Sequence, residues 1–151
     1  MLLTFQVGMG IHGEPGREVD TLPSADAATY VAELLVSGIA AAFPSIVPAE
    51  SAPRVAVMIN NLGTLSELEL TIVSADIIFA LQRRGYIVAR VYIGTFMTAL
   101  DMCGVSLSAF LMQPGGWGER DRGHIDWNWS ELLDAPTTAN AWKESTLYND
   151  R

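Results

Sequence analysis

His12 is the residue whose type and setting best suit chemistry, because it stands in a glycine-rich segment. The nine residues from Gly8 to Gly16 include four glycines and one proline. Glycine adopts tight and left-handed backbone conformations that other residues resist, so this segment predicts a loop shaped to present one imidazole. An unprotonated imidazole nitrogen is nucleophilic near neutral pH and can act as a general acid or base. Residue type alone favours the alternative, in which His12 is an ordinary solvated loop histidine.

Other familiar kinds of site find little support in the sequence. Gly8, Gly10 and Gly13 follow a predicted strand at the spacing of a dinucleotide-binding fingerprint. That fingerprint needs a helix to open at its third glycine, whereas a proline and a further glycine follow here, so we reject a nucleotide site. Two distant histidines and one cysteine have no metal-ligand spacing, and we expect no metal site. Cys103 is expected to be a small buried hydrophobe.

Length and charge limit the classes of protein. Half of the 151 residues are hydrophobic, and we expect residues 1–151 to form a single domain. A net charge of −8 and a pI near 4.5 argue against a nucleic-acid partner. No apolar run reaches the roughly 18 residues that span a bilayer, so we expect no membrane partner. The lone cysteine cannot form an internal disulfide and indicates a reducing, cytoplasmic setting.

The hydrophobic pattern predicts strands that alternate with two long helices. Strands are predicted over 2–7, 54–60, 86–93 and 105–112, helices over 25–43 and 67–84, and one helical turn over 130–133. Ser66 and Glu69 have the spacing of a capping box, which marks the start of the second helix. Strand, helix and strand between residues 54 and 93 predict a right-handed β-α-β unit with parallel strands. The predicted fold class is therefore α/β, a two-layer domain with a mixed sheet and helices packed on it.

Both long helices are predicted to carry an apolar face. On the first helix this face consists of Val31, Leu35, Ile39 and Ala42, and Gly38 either weakens the helix or allows a close approach. On the second helix it consists of Leu68, Ile72, Ala75 and Phe79, and it is widened by Val73, Ile77, Ala80 and Leu81. So wide an apolar surface indicates burial on more than one side, including burial against another subunit.

The glycine-rich segment closely resembles the loop that carries the substrate histidine in the dihydroxyacetone kinases. Three further parts of the chain agree with that family in order and spacing, namely Asn60–Gly63 with Glu67–Leu70, Tyr92–Met102, and Leu132–Pro136 with Trp142. The resemblance covers nearly the whole chain but only the second half of the family's substrate-binding module. This sequence departs from the family at Thr64-Leu65, where a second glycine is usual, and residues 113–129 look like an insertion.

The resemblance implies a specific role for the histidine. In the family, the matching histidine attacks the carbonyl of dihydroxyacetone and holds it as a covalent hemiaminal, and this role falls to His12. The resemblance gives the other site residues the task of shaping its loop (Gly8, Gly10 and Gly13) or of lining and bracing the site (Gly63 and Thr98). Trapping a carbonyl selects a ketone over glycerol, because a polyol has no group that an imidazole can add to.

The resemblance also implies partners and a place in glycerol metabolism as a glycerone kinase. ATP with Mg²⁺, or a phosphoprotein donor, would act on a separate domain or subunit, and this chain would bind no cofactor itself. We expect the chain to lack the first half of the module and the nucleotide-binding domain, to be inactive alone, and to form a homodimer. Two alternatives stay open: a non-catalytic small-carbonyl-binding or regulatory module, and a homo-oligomeric interaction protein that associates through its apolar helix face and its tryptophan-rich segment.

Overall fold

A computed structural model describes residues 5–10, 12–19, 26–42, 52–100, 102–112, 128–142 and 147–148. In chain order the elements are β1 (Phe5–Val7), β2 (Arg17–Val19), α1 (Ala27–Ala42), β3 (Arg54–Asn61), α2 (Glu67–Arg83), β4 (Ile87–Gly94), β5 (Val105–Leu111), α3 (Trp129–Leu133) and β6 (Leu147–Tyr148). Each predicted helix and strand has a counterpart among these elements, while residues 2–4, 25 and 43 of the predicted ranges lie outside the described residues. The short strands β2 and β6 were not predicted. Among the described helices, none combines the length and the apolar character needed to cross a bilayer.

The strands form two separate sheets. β1 and β2 pair antiparallel, and the other four strands form a sheet in the order β5-β3-β4-β6. β3 and β4 run parallel, with Val57 opposite Val91, while β5 lies antiparallel on the other side of β3. The predicted parallel pair and the mixed sheet of an α/β fold are thus confirmed. Six of the eight residues of β3 are buried, as its unbroken apolar pattern predicts for a strand covered on both faces.

The start of α2 is fixed by the predicted capping box. The Ser66 hydroxyl accepts a hydrogen bond from the Glu69 amide at 3.3 Å, and the Glu69 carboxylate accepts one from the Ser66 amide at 2.8 Å. These reciprocal bonds satisfy two amides that the first turn of a helix leaves without partners. At the other end Gly85 has φ +83°, a left-handed conformation that stops the helix where the sequence predicted.

The core lies between one face of the sheet and the two long helices. α1 buries Ala32 and Val36, with Leu35 packed beside them. The predicted face of α1 is therefore wrong by about one residue, since Ala42 is exposed and Val31 and Ile39 are only half-buried. The suggested close approach at Gly38 is also wrong, because a Cβ there would meet no atom within 4 Å.

The predicted apolar face of α2 is not the face that meets the core. α2 buries Leu70, Ser74, Ile77, Ala80 and Leu81. Three of these, Ile77, Ala80 and Leu81, had been predicted only to widen the apolar face, and burial of Leu70 and Ser74 had not been predicted. Leu68, Ile72 and Phe79 are instead 70%, 50% and 58% exposed, and Ala75 is exposed with them. At the seam between the helices Glu33 pairs with Arg83 and Arg84 at 2.6 and 2.8 Å. The hydrogen bond from Arg83 lowers the pKa of the Glu33 carboxyl below its ordinary value.

The opposite face of the sheet is covered by the chain around α3. Trp129 and Leu133 pack there against a small buried cluster of Ala56, Ala89 and Met112. Arg90 of β4, whose side chain is 2% exposed, donates to both carboxylate oxygens of Asp134 at 2.7 to 3.2 Å. Farther along, the Trp142 ring lies 4.9 Å from Tyr92 and 6.0 Å from Phe96, measured between ring centroids. These contacts attach the segment after α3 to β4 and to the loop that follows it.

Candidate functional site

The predicted histidine loop is the turn between β1 and β2. Gly8 and Gly13 have φ values of +77° and +85°, in the left-handed region that favours glycine. The Gly13 amide donates to the Gly10 carbonyl at 3.1 Å, and the Gly10 amide donates to the Glu14 carbonyl at 3.2 Å. Two of the three predicted glycines are therefore required for their backbone conformation, and the third joins the turn through both of its backbone groups.

Glu14 holds the backbone of the histidine from inside this turn. Its carboxylate accepts a hydrogen bond from the His12 amide at 3.1 Å. The same side chain lies so close to Gly10 that a Cβ added there would collide with it. Gly10 therefore leaves room for the Glu14 side chain, and its own φ is not in the left-handed region. The sequence did not predict this role of Glu14.

The imidazole of His12 is directed to solvent. The residue is exposed, and within the described ranges its ring nitrogens have no hydrogen-bonding partner. A nitrogen that is not already engaged can donate, accept or add to an electrophile. The turn connects two antiparallel strands, so the chain leaves it in β2 and not in a helix whose first turn could face a pyrophosphate.

A second cluster lies at the carboxyl end of β3 and is built on two buried asparagines. The Asn60 amide oxygen accepts from the amides of Phe96 and Met97 at 2.8 and 3.0 Å. Its nitrogen donates to the Met97 carbonyl at 2.8 Å and to the Ser106 hydroxyl at 3.3 Å. Asn60 thereby joins the loop after β4 to the first residues of β5. Its side chain has used its bonding capacity on protein groups, which indicates a structural role.

Asn61 does the same for the loop that follows its own strand. Its amide oxygen accepts from the amides of Gly63 and Leu65 at 2.9 and 3.2 Å, and its nitrogen donates to the Leu65 carbonyl at 2.8 Å. Gly63 has φ +133°, and a Cβ there would lie 3.4 Å from the Thr98 methyl carbon. The predicted residues Gly63 and Thr98 are therefore in contact, at the edge of the sheet where parallel strands end and α/β folds commonly bind ligands.

The predicted site residues thus form two clusters. One contains Gly8, Gly10, His12 and Gly13 in the hairpin turn, and the other contains Gly63 and Thr98 beside the sheet. Among the described elements, β1 and β2 pack mainly against each other and make no extensive contact with the four-stranded sheet. From the sequence, Asn60 and Asn61 were recognised only as part of a family motif, and their role as anchors of the neighbouring loops was not predicted. The signal was available, since two amide side chains ending an apolar strand need buried partners.

Two further observations concern metal binding and the cysteine. Among the residues that the structure describes, no group of three or more histidine, cysteine, aspartate or glutamate side chains could hold a metal ion. Cys103 is exposed, so the prediction that it is a buried hydrophobe is wrong. It lies between Met102, whose carbonyl accepts from the Thr64 hydroxyl at 3.4 Å, and Gly104, whose carbonyl accepts from the Leu62 amide at 3.0 Å. The tryptophan-rich segment comprises residues 113–129, and its residues 113–127 lie outside the part of the chain that the structure describes.

Comparison with known proteins gives a consistent family. The Dak1 domain matches residues 3–141. Triokinase/FMN cyclase from Bos taurus is 39% identical over 137 residues, which are 91% of this chain and 21% of the bovine protein. The chain spans about a fifth of the length of such curated relatives.

Solved structures agree in fold. The dihydroxyacetone kinase from C. freundii, in complex with AMP-PNP and Mg²⁺, superposes with a TM-score of 0.68 at 27% identity and covers 97% of this chain and 23% of that one. A structure concerned with regulation of the DHA operon of Lactococcus lactis has a TM-score of 0.71 at 29% identity, covering 91% of this chain and 37% of that one.

Proposed function

This chain belongs to the Dak1 domain family, and on that premise we propose that it is the dihydroxyacetone-binding part of a kinase. In this proposal His12 binds the carbonyl of the ketone covalently while a separate domain or subunit transfers the phosphoryl group. The observation that carries the proposal is the exposed imidazole, whose ring nitrogens bond to none of the described residues. It stands on a turn whose backbone is held by Glu14 and by the glycines. On such a turn the imidazole does not first have to break a hydrogen bond to a described residue before it attacks.

The proposed step is a reversible addition that needs no redox partner. The unprotonated ring nitrogen of His12 attacks the carbonyl carbon, a C–N bond forms, and the C=O π electrons move to oxygen. The alkoxide takes up one proton while the other ring nitrogen releases one, so that a neutral hemiaminal results. Ketones and aldehydes can undergo this addition and glycerol cannot, which accounts for selection of a triose by bond formation.

The remaining predicted site residues have supporting tasks in this proposal. Gly8, Gly10 and Gly13 keep the turn compact, and Gly63 with Thr98 braces the substrate side of the sheet edge. We place the first half of the substrate-binding module and the nucleotide-binding domain outside these 151 residues. ATP with Mg²⁺, or a phosphoprotein, would act there, and the chain alone would transfer no phosphoryl group. Glycerone kinase activity in glycerol metabolism belongs to that complete assembly, and a cytoplasmic setting stays a prediction from the single cysteine.

Carbon NMR with dihydroxyacetone labelled at the carbonyl carbon tests the covalent step. We expect the wild-type chain to convert part of the carbonyl signal into that of a tetrahedral carbon attached to an imidazole nitrogen. His12→Ala should abolish this signal, and His124→Ala, which removes the other histidine of the chain, should retain it. An identical tetrahedral signal in the His12→Ala chain, or none in the wild type, would contradict the assignment of His12.

A regulatory module is the second candidate, favoured by the likeness to the structure concerned with operon regulation in Lactococcus lactis. In that case the same carbonyl would bind, and no phosphoryl transfer would follow in any assembly. The two functions separate when the chain is combined with a nucleotide-binding kinase subunit and phosphorylated triose is assayed. Product formation that depends on His12 supports the kinase, whereas binding without product supports the regulatory module.

A further inference from the structure

The side chain of Glu14 folds back into the histidine turn although the residue is exposed. Its carboxylate accepts from the His12 amide at 3.1 Å and occupies space that a Cβ on Gly10 would fill. An exposed glutamate ordinarily extends into water, because fixing its long side chain costs conformational entropy. Backbone amides in turns are ordinarily bonded by the shorter side chains of aspartate, asparagine, serine and threonine. The position of the Glu14 carboxylate therefore indicates a role beyond closing the turn.

The Glu14 carboxylate has bonding capacity beyond the bond that it makes. An ionised carboxylate has two oxygens that together accept about four hydrogen bonds. Within the described ranges, this one accepts only from the His12 amide and forms no ion pair. Arg17 and Glu18, the other charged residues of the described hairpin, are exposed on β2. A second donor from the same turn can therefore bind to this carboxylate.

The imidazole of His12 itself supplies a donor of the right kind. Its Nδ1 atom is joined through Cα, Cβ and Cγ alone to the amide nitrogen that Glu14 already binds. The ring is exposed and its nitrogens bond to none of the described residues, so rotation about the Cα–Cβ bond can bring Nδ1 to the carboxylate. Exposed side chains change between staggered rotamers rapidly. Hydrogen bonds at reactive groups are often unformed in the free protein and tighten once substrate binds.

We propose that Glu14 is a positioning residue that binds the Nδ1 proton of His12 and so leaves Nε2 as the nucleophile. The inference rests on the proposed function, in which a ring nitrogen of His12 attacks the carbonyl. A neutral imidazole has one nitrogen with a free lone pair, and a hydrogen bond to the other nitrogen decides which one it is. As the C–N bond forms the ring becomes positively charged, and the carboxylate stabilises this charge while it stays ionised. The Nδ1 proton then passes to water, the alkoxide takes a proton from water, and the neutral hemiaminal results.

Nitrogen NMR of the imidazole tests this orientation without any ligand, in a His124→Ala background that leaves one histidine to observe. At about pH 8.5 an ordinary solvated histidine is neutral and carries its proton mainly on Nε2, whereas we expect His12 to carry it on Nδ1. Glu14→Ala should return His12 to the ordinary tautomer. Glu18→Ala removes an exposed glutamate from the same hairpin and should leave the proton on Nδ1. A proton on Nε2 in the parent chain, or an unchanged tautomer in Glu14→Ala, would overturn the proposal.

Gly10→Ala tests the geometry from the other side of the contact. It places a methyl group where the Glu14 carboxylate lies, and since φ of Gly10 is not left-handed, displacement of that carboxylate is its expected effect. The tautomer of His12 should change as it does in Glu14→Ala, and the two substitutions together should change it no further, because both act on one contact. A Gly10→Ala chain that keeps the proton on Nδ1 would contradict the proposed arrangement. The amide spectrum of β1 and β2 checks that the hairpin persists in each variant.

The carbonyl adduct separates this inference from the proposed function. Glu14→Gln keeps a side-chain oxygen for the His12 amide but loses the charge, so the fraction of labelled dihydroxyacetone bound at His12 should fall about fivefold. Glu18→Gln makes the same change of charge at an exposed position of the same hairpin and should leave the adduct unchanged. An undiminished adduct in Glu14→Gln would overturn the electrostatic role of Glu14. A chain without any adduct, but with the Glu14-dependent proton on Nδ1, would contradict the proposed function and support the orientation by Glu14.

Discussion

The two clusters of candidate site residues are built in opposite ways. The histidine turn is local: its hydrogen bonds join residues two to four positions apart, and glycine conformations set its shape. The cluster at the end of β3 is non-local: Asn60 binds residues 36 to 46 positions away and is nearly fully buried. One cluster exposes its reactive group, and the other uses both polar atoms of each asparagine side chain in hydrogen bonds within the protein. The comparison indicates that the reactive side chain is positioned by a small turn, while the surrounding loops are held by the core.

Asn60→Ala should have the largest effect on stability, because it removes the side chain that anchors the non-local cluster. It removes all four bonds of the side chain and leaves the Phe96 and Met97 amides in need of partners. We expect a loss of about 3 kcal/mol in the free energy of unfolding, measured by urea titration.

Asn128→Ala is the control for that measurement. Asn128 caps α3 from an exposed position, where its amide oxygen accepts one hydrogen bond from the Glu131 amide. The expected loss is about 1 kcal/mol. Equal effects of the two substitutions would contradict the distinction between a buried non-local anchor and an exposed local one.

Gly13→Ala tests the local cluster and should cost about 1 kcal/mol, because alanine resists the left-handed conformation of this position. Since the added Cβ would have no described atom within 4 Å beyond those of its chain neighbours, the cost comes from the backbone and not from a collision. The decisive readout is the carbonyl adduct of the proposed function, which should weaken while the spectrum of the four-stranded sheet is unchanged.

Gly38→Ala is the matched glycine substitution, in the exposed interior of α1 with equal space around it. Here alanine is the better helix former, so stability should rise by about 0.5 to 1 kcal/mol. A stabilising Gly13→Ala, or a disturbed sheet in that variant, would show that the turn is not built as a separate local unit.

Glu69→Gln should have the smallest effect and concerns the capping box that ends the Asn61-anchored loop. Hydrogen bonds from the Ser66 amide and hydroxyl lower the pKa of the Glu69 carboxyl. A lowered pKa in the folded state means that the bond contributes fully above the ordinary glutamate pKa and that its contribution is lost as the pH falls through the lowered value. Glu69→Gln should therefore flatten the decrease in melting temperature between neutral pH and about pH 3.

Glu131→Gln provides the corresponding control on α3, where the first-turn glutamate donates its amide to Asn128 and its carboxylate takes no part in a capping box. The decrease in melting temperature of this variant between neutral pH and about pH 3 should match that of the wild type. If the two variants behave alike, the capping box makes no pH-dependent contribution to the stability of the loop.

Much of the fold could be predicted because it depends on short-range patterns. The capping box at Ser66, the helix stop at Gly85 and the parallel pair of β3 and β4 follow from local residue types and from the handedness of a β-α-β connection. The glycine turn around His12 could be predicted for the same reason. The family resemblance to the dihydroxyacetone kinases, which these motifs supported, agrees with the Dak1 match over residues 3–141.

Burial of the helix faces could not be predicted in the same way. α2 is apolar on more than one side, so its periodicity identifies two faces and does not say which one meets the sheet. The path of the chain through β3 and β4 placed Ile77 and Leu81 in the core and left Leu68 and Phe79 outside. Cys103 was misplaced for a related reason, since burial of a small residue depends on what packs above it.

The sequence by itself determined the two long helices, four of the six described strands, the capping box and the glycine-rich loop around His12, because each rests on the pattern of residue types within a short stretch of chain. It did not predict β2, the partner strand that makes this loop a hairpin turn, or β6. Only the tertiary structure decided that Asn60 holds the loops after β4, that Asp134 pairs with the buried Arg90, and that Gly63 touches Thr98. Those contacts join residues 35 or more positions apart. Their partners exist only once the strands are paired and the loops at one edge of the sheet have been brought together.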